Sequence, residues 1–236
     1  MGGIHLGLIP DGNRRWARLH GLPPIEGHRR GAQVMEQFLR WCLEDERIEE
    51  LSIYGLSIEN LQKRSPEELK GLYGLMKEYF KKLLKSEEIY EYEVRVRVLG
   101  RYYKLPKSVI RLIQELVDAT KQHSKRFVNI LIAYGAQDEI LHCVRSIAHS
   151  LLRGKLGRIT EEVLRKNLWI ERPLDLVIRT GGDHRLSNFM LYQAAYAELI
   201  FVDKYWPDFT RQDFIRCLEM FQQRERRMGG DSVELV

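Results

Sequence analysis

The chain has 236 residues, of which 44% are hydrophobic, so it can bury a full core as one domain spanning residues 1–236. Lysine and arginine outnumber aspartate and glutamate by 38 to 33, and the two signs alternate along most helical stretches. The net charge of +5 favours anionic ligands or a membrane surface only weakly, and no nucleic acid partner is expected.

Strand and helix patterns alternate along the chain. Short runs rich in Val, Ile, Leu and Tyr predict strands at residues 4–10, 51–57, 92–100, 127–135, 174–182 and 198–203. Amphipathic stretches predict helices at Ala32–Glu46, Pro66–Lys85, Pro106–Ser124, Asp138–Leu152, Thr160–Asn167 and Arg211 to about Arg226. This order predicts a single α/β domain with a mainly parallel central sheet flanked by helices.

The cysteine pattern indicates a reducing compartment. Cys42, Cys143 and Cys217 are odd in number, widely separated and embedded in helical patterns, so we expect them to be small core residues. No apolar run approaches the roughly 20 residues that a bilayer-spanning helix needs, and no signal-peptide pattern is present. A cytoplasmic protein is therefore expected.

Polar clusters follow three of the predicted strands. In open parallel sheets, ligands bind beyond the carboxyl ends of the strands. The first cluster is residues 11–15, the second contains Ser57, Glu59 and Asn60, and the third is residues 179–187. All three are expected at the same edge of the sheet.

The composition of these clusters is typical of an anion site with a metal. Glycines let backbone amides approach a ligand closely, and arginines supply forked donors for phosphate oxygens. Asp11 can hold Mg²⁺ when a diphosphate is bound beside it, because Mg²⁺ prefers oxygen ligands from few carboxylates plus phosphate. The alternative is an ordinary Pro-Asp-Gly turn with an exposed acid, surrounded by surface ion pairs.

The motifs PDGNRRWA, EGHRRG, SIENL, IRTGGDHRLSNF and YQAAYAEL occur in this order, and the chain resembles the cis-prenyltransferase (undecaprenyl diphosphate synthase-like) family from residue 4 to residue 230. This resemblance implies a Mg²⁺-dependent transferase that condenses isopentenyl diphosphate with an allylic prenyl diphosphate and forms a new cis double bond. It also implies a homodimer, a hydrophobic tunnel for the product, and a peripheral membrane contact for a lipophilic product.

The resemblance also implies roles for individual positions. Asp11 matches the acid that binds Mg²⁺ and assists departure of the allylic diphosphate, and Glu198 matches the residue that completes the metal site. Asn60, with Ser57 nearby, matches the position assigned to relaying the proton that is lost. The positions matched to binding of the two diphosphate substrates are Gly12, Asn13, Arg14, Arg15, Trp16, His28, Ser57, Ile58, Glu59, Arg179, Arg185, Leu186 and Ser187.

Two further features of the resemblance concern other parts of the chain. Arg227 and Gly229 match an Arg-x-Gly ending that contacts the diphosphate in the neighbouring subunit. His28, between Gly27 and Gly31, stands where a helix is expected to begin, so it is interpreted as a phosphate ligand instead of a structural donor.

Several positions depart from the family pattern. Pro24 replaces a diphosphate-binding arginine, for which Arg29 or Arg30 could substitute. Leu56 and Leu61 replace an aromatic shelf beside the allylic chain, and either Lys63 or Arg64 fills the usual basic position. An apolar stripe on one helix is a tunnel candidate or plain core, and it comprises Leu69, Leu72, Leu75, Met76, Tyr79, Phe80 and Leu84.

Three functions remain in competition at this point. The first is an active synthase of poly-cis-prenyl diphosphates. The second is a relative that makes a short or branched product, and the third is a non-catalytic partner subunit, which the presence of Asp11 argues against. The chain lacks a DDxxD segment, a Walker P-loop and a GxGxxG fingerprint, so a trans-prenyltransferase and a nucleotide-binding protein are disfavoured.

Overall fold

The structure is a computed structural model that describes residues 2–224. Its strands are β1 (Ile4–Ile9), β2 (Ile48–Ser57), β3 (Val94–Leu99), β4 (Arg126–Tyr134), β5 (Leu176–Thr180) and β6 (Glu198–Val202). Its helices are α1 (Asn13–Leu19), α2 (Pro24–Glu44), α3 (Ile58–Lys63), α4 (Pro66–Leu84), α5 (Glu87–Glu91), α6 (Lys107–Thr120), α7 (Ala136–Leu152), α8 (Glu161–Asn167) and α9 (Arg211–Gln223).

The six strands form one parallel sheet in the order β3-β4-β2-β1-β5-β6. The chain starts near the middle of the sheet, builds outward to β3 and then crosses back to the other side. This topology places the ends of β1, β2 and β5 next to one another, so the three predicted polar clusters share one edge. The α/β fold with a parallel sheet is confirmed.

Helices cover both faces of the sheet, and the alternation of side chains along the strands divides the core between these faces. The larger apolar cluster lies under α2, α4 and α6, and a second cluster surrounds Tyr134, Phe189 and Met190. Cys42, Cys143 and Cys217 are buried and free, as the sequence predicts.

Helix α2 begins at Pro24 instead of Ala32, so the expected helix start near His28 is wrong. Proline is favoured at the first position of a helix, where its missing N–H leaves no bond unmade. The nearby Gly27 is not a helix breaker but a contact point for α1, because a Cβ atom at Gly27 would lie 2.0 Å from the carbonyl oxygen of Asn13. His28 is therefore an interior residue of α2, held against the first turn of α1.

Candidate active site

Asp11, Arg179 and Ser187 meet at the carboxyl edge of the sheet. Arg179 pairs in register with Ile9 on β1, so its side chain reaches the turn that follows that strand. Its Nη2 atom donates to Asp11 Oδ2 at 2.8 Å and its Nη1 atom donates to Ser187 Oγ at 2.8 Å. Arg179 is only 3% exposed, whereas the Asp11 side chain is 33% exposed. Asp11 therefore lies at the boundary between the core and solvent.

One further carboxylate and two further guanidinium groups surround the Asp11–Arg179 pair. Arg15 Nη2 lies 3.3 Å from Asp11 Oδ1 and 3.1 Å from Asp183 Oδ2, and Arg185 Nη1 donates to Asp183 Oδ1 at 2.8 Å. Burial opposes the charge of Asp183, but the hydrogen bond from Arg185 and the neighbouring arginines outweigh it and lower the pKa of this carboxyl. The cluster thus combines an acid at the site entrance with an excess of cations.

Gly12 fixes the turn that carries Asp11. Its φ angle is 108°, which favours glycine, and its N–H donates to Asp11 Oδ1 at 2.7 Å. A Cβ atom at this position would lie 2.6 Å from Cδ1 of Tyr205, whose ring also packs against the guanidinium of Arg15 at 5.3 Å. The turn therefore orients the acid and supports one of its cations.

A second cluster gathers around Glu68, which the sequence analysis did not select. Its Oε1 atom lies 3.4 Å from His28 Nε2 and 3.5 Å from Nε of both Arg14 and Arg64. Burial and then the charge of Arg64 lower the pKa of His28 to about 4, so its imidazole is neutral at neutral pH. Arg64 is nearly buried and Lys63 is exposed, so Arg64 is the basic residue built into this site.

The turn from β2 into α3 carries the third group. Ser57 Oγ accepts a hydrogen bond from Asn60 N–H at 3.0 Å and caps the helix. Glu59 Oε1 accepts from Asn188 Nδ2 at 2.9 Å. Burial opposes the ionised form of Glu59, yet the hydrogen bonds from Asn188 and its own turn lower the pKa of this carboxyl. Asn60 itself is exposed at the edge of the site.

A cavity of about 1680 Å³ joins these groups to the core. Its polar end contains most of the sequence-predicted residues: Asp11, Gly12, Asn13, Arg14, Arg15, His28, Ser57, Glu59, Asn60, Arg179, Arg185 and Ser187. Its apolar wall comes from α2, α4 and strands β2 to β4 and includes Leu39, Ile53, Leu72, Leu75, Met76, Tyr79, Phe80, Leu83, Val96, Val128 and Ile130. The cavity is therefore amphipathic.

The stripe predicted on α4 reaches the cavity only in part. Its central members, Leu72, Leu75, Met76, Tyr79 and Phe80, line the wall. Leu69 and Leu84 pack against the core instead, and Leu83 lines the cavity in their place.

Among the predicted substrate-binding residues that the structure describes, three do not line the cavity. Trp16 lies outside, where its Nε1 atom donates to Asp208 Oδ1 at 2.8 Å. Ile58 lies beside Gly135 at the start of α7, and Leu186 packs against the second apolar cluster. Each is a sequence neighbour of a cavity residue, but its side chain lies elsewhere.

The expected aliphatic shelf is also absent from the described part of the cavity. Leu56 is 2% exposed and belongs to the main core, and Leu61 packs against that core. In β2 the residues before and after Leu56, Gly55 and Ser57, line the cavity, whereas Leu56 does not, and the register of β2 shifts on both sides of Leu56. The expectation that Leu56 and Leu61 border a ligand chain is wrong.

The structure separates the two predicted metal ligands within one chain. Glu198 is the first residue of β6 and pairs with Leu176, which pairs with Leu6 on β1. It therefore lies near the amino edge of the sheet, two strands away from β1 and displaced from Asp11 by roughly 16 Å along the strand direction at ~3.3 Å per residue. Its Oε2 atom accepts from Arg224 Nη1 at 2.8 Å. Within residues 2–224, no three His, Cys, Asp or Glu side chains form a metal-binding group.

Other expectations concern the edge of the site. Arg29 and Arg30 do not line the cavity; Arg29 contacts Glu26, and Arg30 donates to Gln33. Neither replaces the arginine that the family pattern places at Pro24. Arg227 and Gly229 lie outside the described residues.

Comparison with known proteins identifies relatives over nearly the whole chain. Residues 9–229 match the family model described as putative undecaprenyl diphosphate synthase. The chain is 48% identical to the tritrans,polycis-undecaprenyl-diphosphate synthase (geranylgeranyl-diphosphate specific) of Methanopyrus kandleri, over 95% of this chain and 84% of that protein. It is 46% identical to the protein of the same name in Pyrococcus horikoshii, over 95% and 86%.

Solved structures share the fold. Lavandulyl diphosphate synthase from Lavandula x intermedia, solved in complex with dimethylallyl diphosphate, has a TM-score of 0.87 and 27% identity over 94% of this chain and 96% of that chain. A probable undecaprenyl diphosphate synthase from Campylobacter jejuni has a TM-score of 0.79 and 30% identity over 97% and 100%. These findings confirm the resemblance seen in the sequence motifs. The chain belongs to the undecaprenyl diphosphate synthase family of cis-prenyltransferases, and it is an enzyme that joins isopentenyl diphosphate to an allylic prenyl diphosphate.

Proposed function

We propose that this enzyme uses geranylgeranyl diphosphate as its allylic primer and extends it to a long poly-cis-prenyl diphosphate. The observation that carries this proposal is the large amphipathic cavity, whose cationic end opens into an apolar wall formed by α2, α4 and three strands. Two archaeal relatives that share 48% and 46% identity with the chain are named as geranylgeranyl-diphosphate specific. An apolar wall of this extent suits a C20 primer and its elongation.

The cations of the site divide into two groups that suit two diphosphates. Arg14, His28 and Arg64 would bind the allylic diphosphate, and Arg179 with Ser187 would bind isopentenyl diphosphate. In the reaction, the bond between C1 of the primer and its diphosphate oxygen breaks, and C1 bonds to C4 of isopentenyl diphosphate. A proton then leaves C2 of the isopentenyl unit as the new double bond forms between C2 and C3.

Charge develops on the departing diphosphate, so the cations contribute more in the transition state than in the ground state. Asn60 lies at the cavity edge on the cap of α3, where it would orient the group that loses the proton. An amide is a poor base, so we assign proton acceptance to a diphosphate oxygen and orientation to Asn60.

Mg²⁺ fits the residues around Asp11. Asp11 and Asp183 both lie within 3.3 Å of the same nitrogen of Arg15, so two carboxylates face one point. Mg²⁺ is commonly held by one or two carboxylates together with substrate phosphates, which this pair would allow. The bound ion would supply neutralisation of the departing diphosphate, and the arginines would orient it.

We further propose that the enzyme is a homodimer. Ile140, Leu141 and Val144 on α7 are exposed, and so are Leu191 and Tyr196. Exposed apolar side chains grouped on one helix are typical of interaction surfaces.

None of the helices between residues 2 and 224 has the apolar length needed to cross a bilayer. A cytoplasmic location with peripheral contact to a membrane suits a lipophilic product.

The test is a primer panel. The purified enzyme is incubated with Mg²⁺, labelled isopentenyl diphosphate and either dimethylallyl, geranyl, farnesyl or geranylgeranyl diphosphate, and the products are sized. We expect the highest kcat/KM with geranylgeranyl diphosphate and a long product. Preference for dimethylallyl diphosphate with a short or branched product would refute the proposed primer, and no incorporation with any primer would support a non-catalytic subunit.

A further inference from the structure

Asn188 occupies an unusual backbone conformation beside the site. Its φ angle is 65° and that of Ser187 is 50°, both in the left-handed region that non-glycine residues avoid. Such conformations persist only where surrounding contacts hold them. The contacts of Asn188 therefore indicate what this strained segment does.

Asn188 caps a helix from a distant part of the chain. Its backbone oxygen accepts from Ala136 N–H at 2.8 Å, and its Oδ1 atom accepts from Gln137 N–H at 2.9 Å. These are the first two residues of α7, and the helix has Gly135 at its N-cap, which offers no capping side chain. Because Oδ1 must face Gln137 N–H, the orientation of the amide is fixed.

The fixed amide points its nitrogen toward the other half of the site. Asn188 Nδ2 donates to Glu59 Oε1 at 2.9 Å, and Glu59 stands in the first turn of α3, next to Asn60. Ser187 directly precedes Asn188 in the chain. The Ser187 hydroxyl accepts a hydrogen bond from Arg179, and its carbonyl oxygen accepts one from the Tyr54 hydroxyl at 3.2 Å. Asn188 is thus a direct connection between the Arg179–Ser187 pair and the cap of α3.

We propose that Asn188 is a positioning residue that, through Glu59, holds the Arg179–Ser187 pair at a fixed distance from Asn60. This inference rests on the proposed function, in which these groups hold isopentenyl diphosphate and orient its proton. Glu59 then acts through Asn188 instead of binding substrate, which revises its role from the sequence analysis. A fixed distance matters because small displacements of reacting groups cost large factors in rate.

The substitution Asn188→Asp separates positioning from capping. A carboxylate oxygen still accepts from Gln137 N–H, and negative charge is favourable at a helix N-terminus, so the cap of α7 is retained. The other oxygen now faces the Glu59 carboxylate, so the connection becomes a repulsion. We expect kcat/KM for isopentenyl diphosphate to fall by about tenfold or more, the factor typical of a lost hydrogen bond to a charged group.

Adding Glu59→Gln to Asn188→Asp reverses the polarity of the bond, because the amide at position 59 can donate to the carboxylate at position 188. We expect the double variant to recover kcat/KM to within about threefold of Glu59→Gln alone. Affinity for the allylic primer should change little in all variants, because Arg14, His28 and Arg64 are untouched. Asn167→Asp on α8 is the matched control for the change in charge, and it should leave kcat/KM unchanged.

A double variant no more active than Asn188→Asp would overturn the proposal. A loss of primer affinity in Asn188→Asp as large as its loss of kcat/KM for isopentenyl diphosphate would also overturn it. If the unaltered enzyme proves to have no turnover with any primer, the proposed function fails separately. Calorimetric binding of isopentenyl diphosphate to the same five proteins, the unaltered enzyme and its four variants, then decides the positioning role, with the same loss and recovery expected in Kd.

Discussion

We expect Asp11 to contribute both to the stability of the fold and to turnover, and Asp11→Ala tests both contributions. The sequence suggests an exposed turn acid whose removal leaves the fold intact. In the structure, however, the Asp11 carboxylate accepts from Nη2 of Arg179 at 2.8 Å, and Arg179 is 3% exposed. Removing the carboxylate therefore leaves a buried guanidinium with one partner fewer.

The size of the effect follows from these contacts. Breaking a fully buried ion pair costs about 3–5 kcal/mol, and losing a hydrogen bond to a charged group costs about 1.5–3 kcal/mol. The Asp11 side chain is 33% exposed, and Arg179 keeps its contacts with Ser187 and the Arg185 carbonyl, so the lower range applies. We expect Asp11→Ala to lose about 1.5–3 kcal/mol of unfolding free energy. Asp11→Asn keeps an oxygen acceptor and should lose about 1 kcal/mol.

Urea unfolding at neutral pH measures these differences, and turnover is measured on the same samples. Both variants should lose turnover by orders of magnitude, because neither carries the negative charge that the proposed Mg²⁺ site requires. Asp11→Asn thus separates the catalytic loss from the structural loss. If Asp11→Ala unfolds at the same urea midpoint as the unaltered enzyme, the ion pair does not stabilise the fold and the reasoning fails.

Three further predictions concern the same site. Gly12→Ala should lower the unfolding free energy by about 1–3 kcal/mol more than Gly21→Ala, its control. Both glycines have positive φ, but only Gly12 has neighbours within 4 Å of an added Cβ atom. Equal urea midpoints for the two variants would contradict this prediction. Glu68→Gln should tighten binding of geranylgeranyl diphosphate severalfold by removing an anion from the cation cluster, and unchanged calorimetric affinity would argue against it. If Arg227 acts in the site of the neighbouring subunit, a mixed dimer of Asp11→Ala and Arg227→Ala chains contains one intact site and should recover up to about half of the activity. Verified mixed dimers without activity would exclude a shared site.

The sequence predicted the location of the site because the argument required only strand order and direction. Asp11 follows β1, Asn60 follows β2, and Arg179 ends β5, so a parallel sheet places all three at its carboxyl edge. The same argument applied to Glu198 would have placed it at the opposite edge, because the predicted strand begins at that residue. The family resemblance concealed this conflict.

Errors at single positions have a different cause. Leu56 lies between two cavity residues on β2, and Ile58 lies between Ser57 and Glu59, yet neither lines the cavity. Neighbouring side chains on a strand or in a tight turn point in different directions, so a motif marks the right segment without marking each member. Asn188 and Glu68 were missed because their roles depend on partners far along the chain.

The departures from the family pattern can be reassessed from these positions. Pro24 opens α2 and lies outside the cavity, and the nearly buried Arg64 supplies a cation to the cavity beside Glu68. Leu56 and Leu61 belong to the core, so exchanging them for aromatic residues would disturb packing before it altered a ligand wall. In the proposed function, selectivity for the primer would therefore reside in the wall formed by α2, α4 and strands β2 to β4. The cationic groups would bind the diphosphate that all the primers share, so they would contribute affinity without distinguishing one chain length from another.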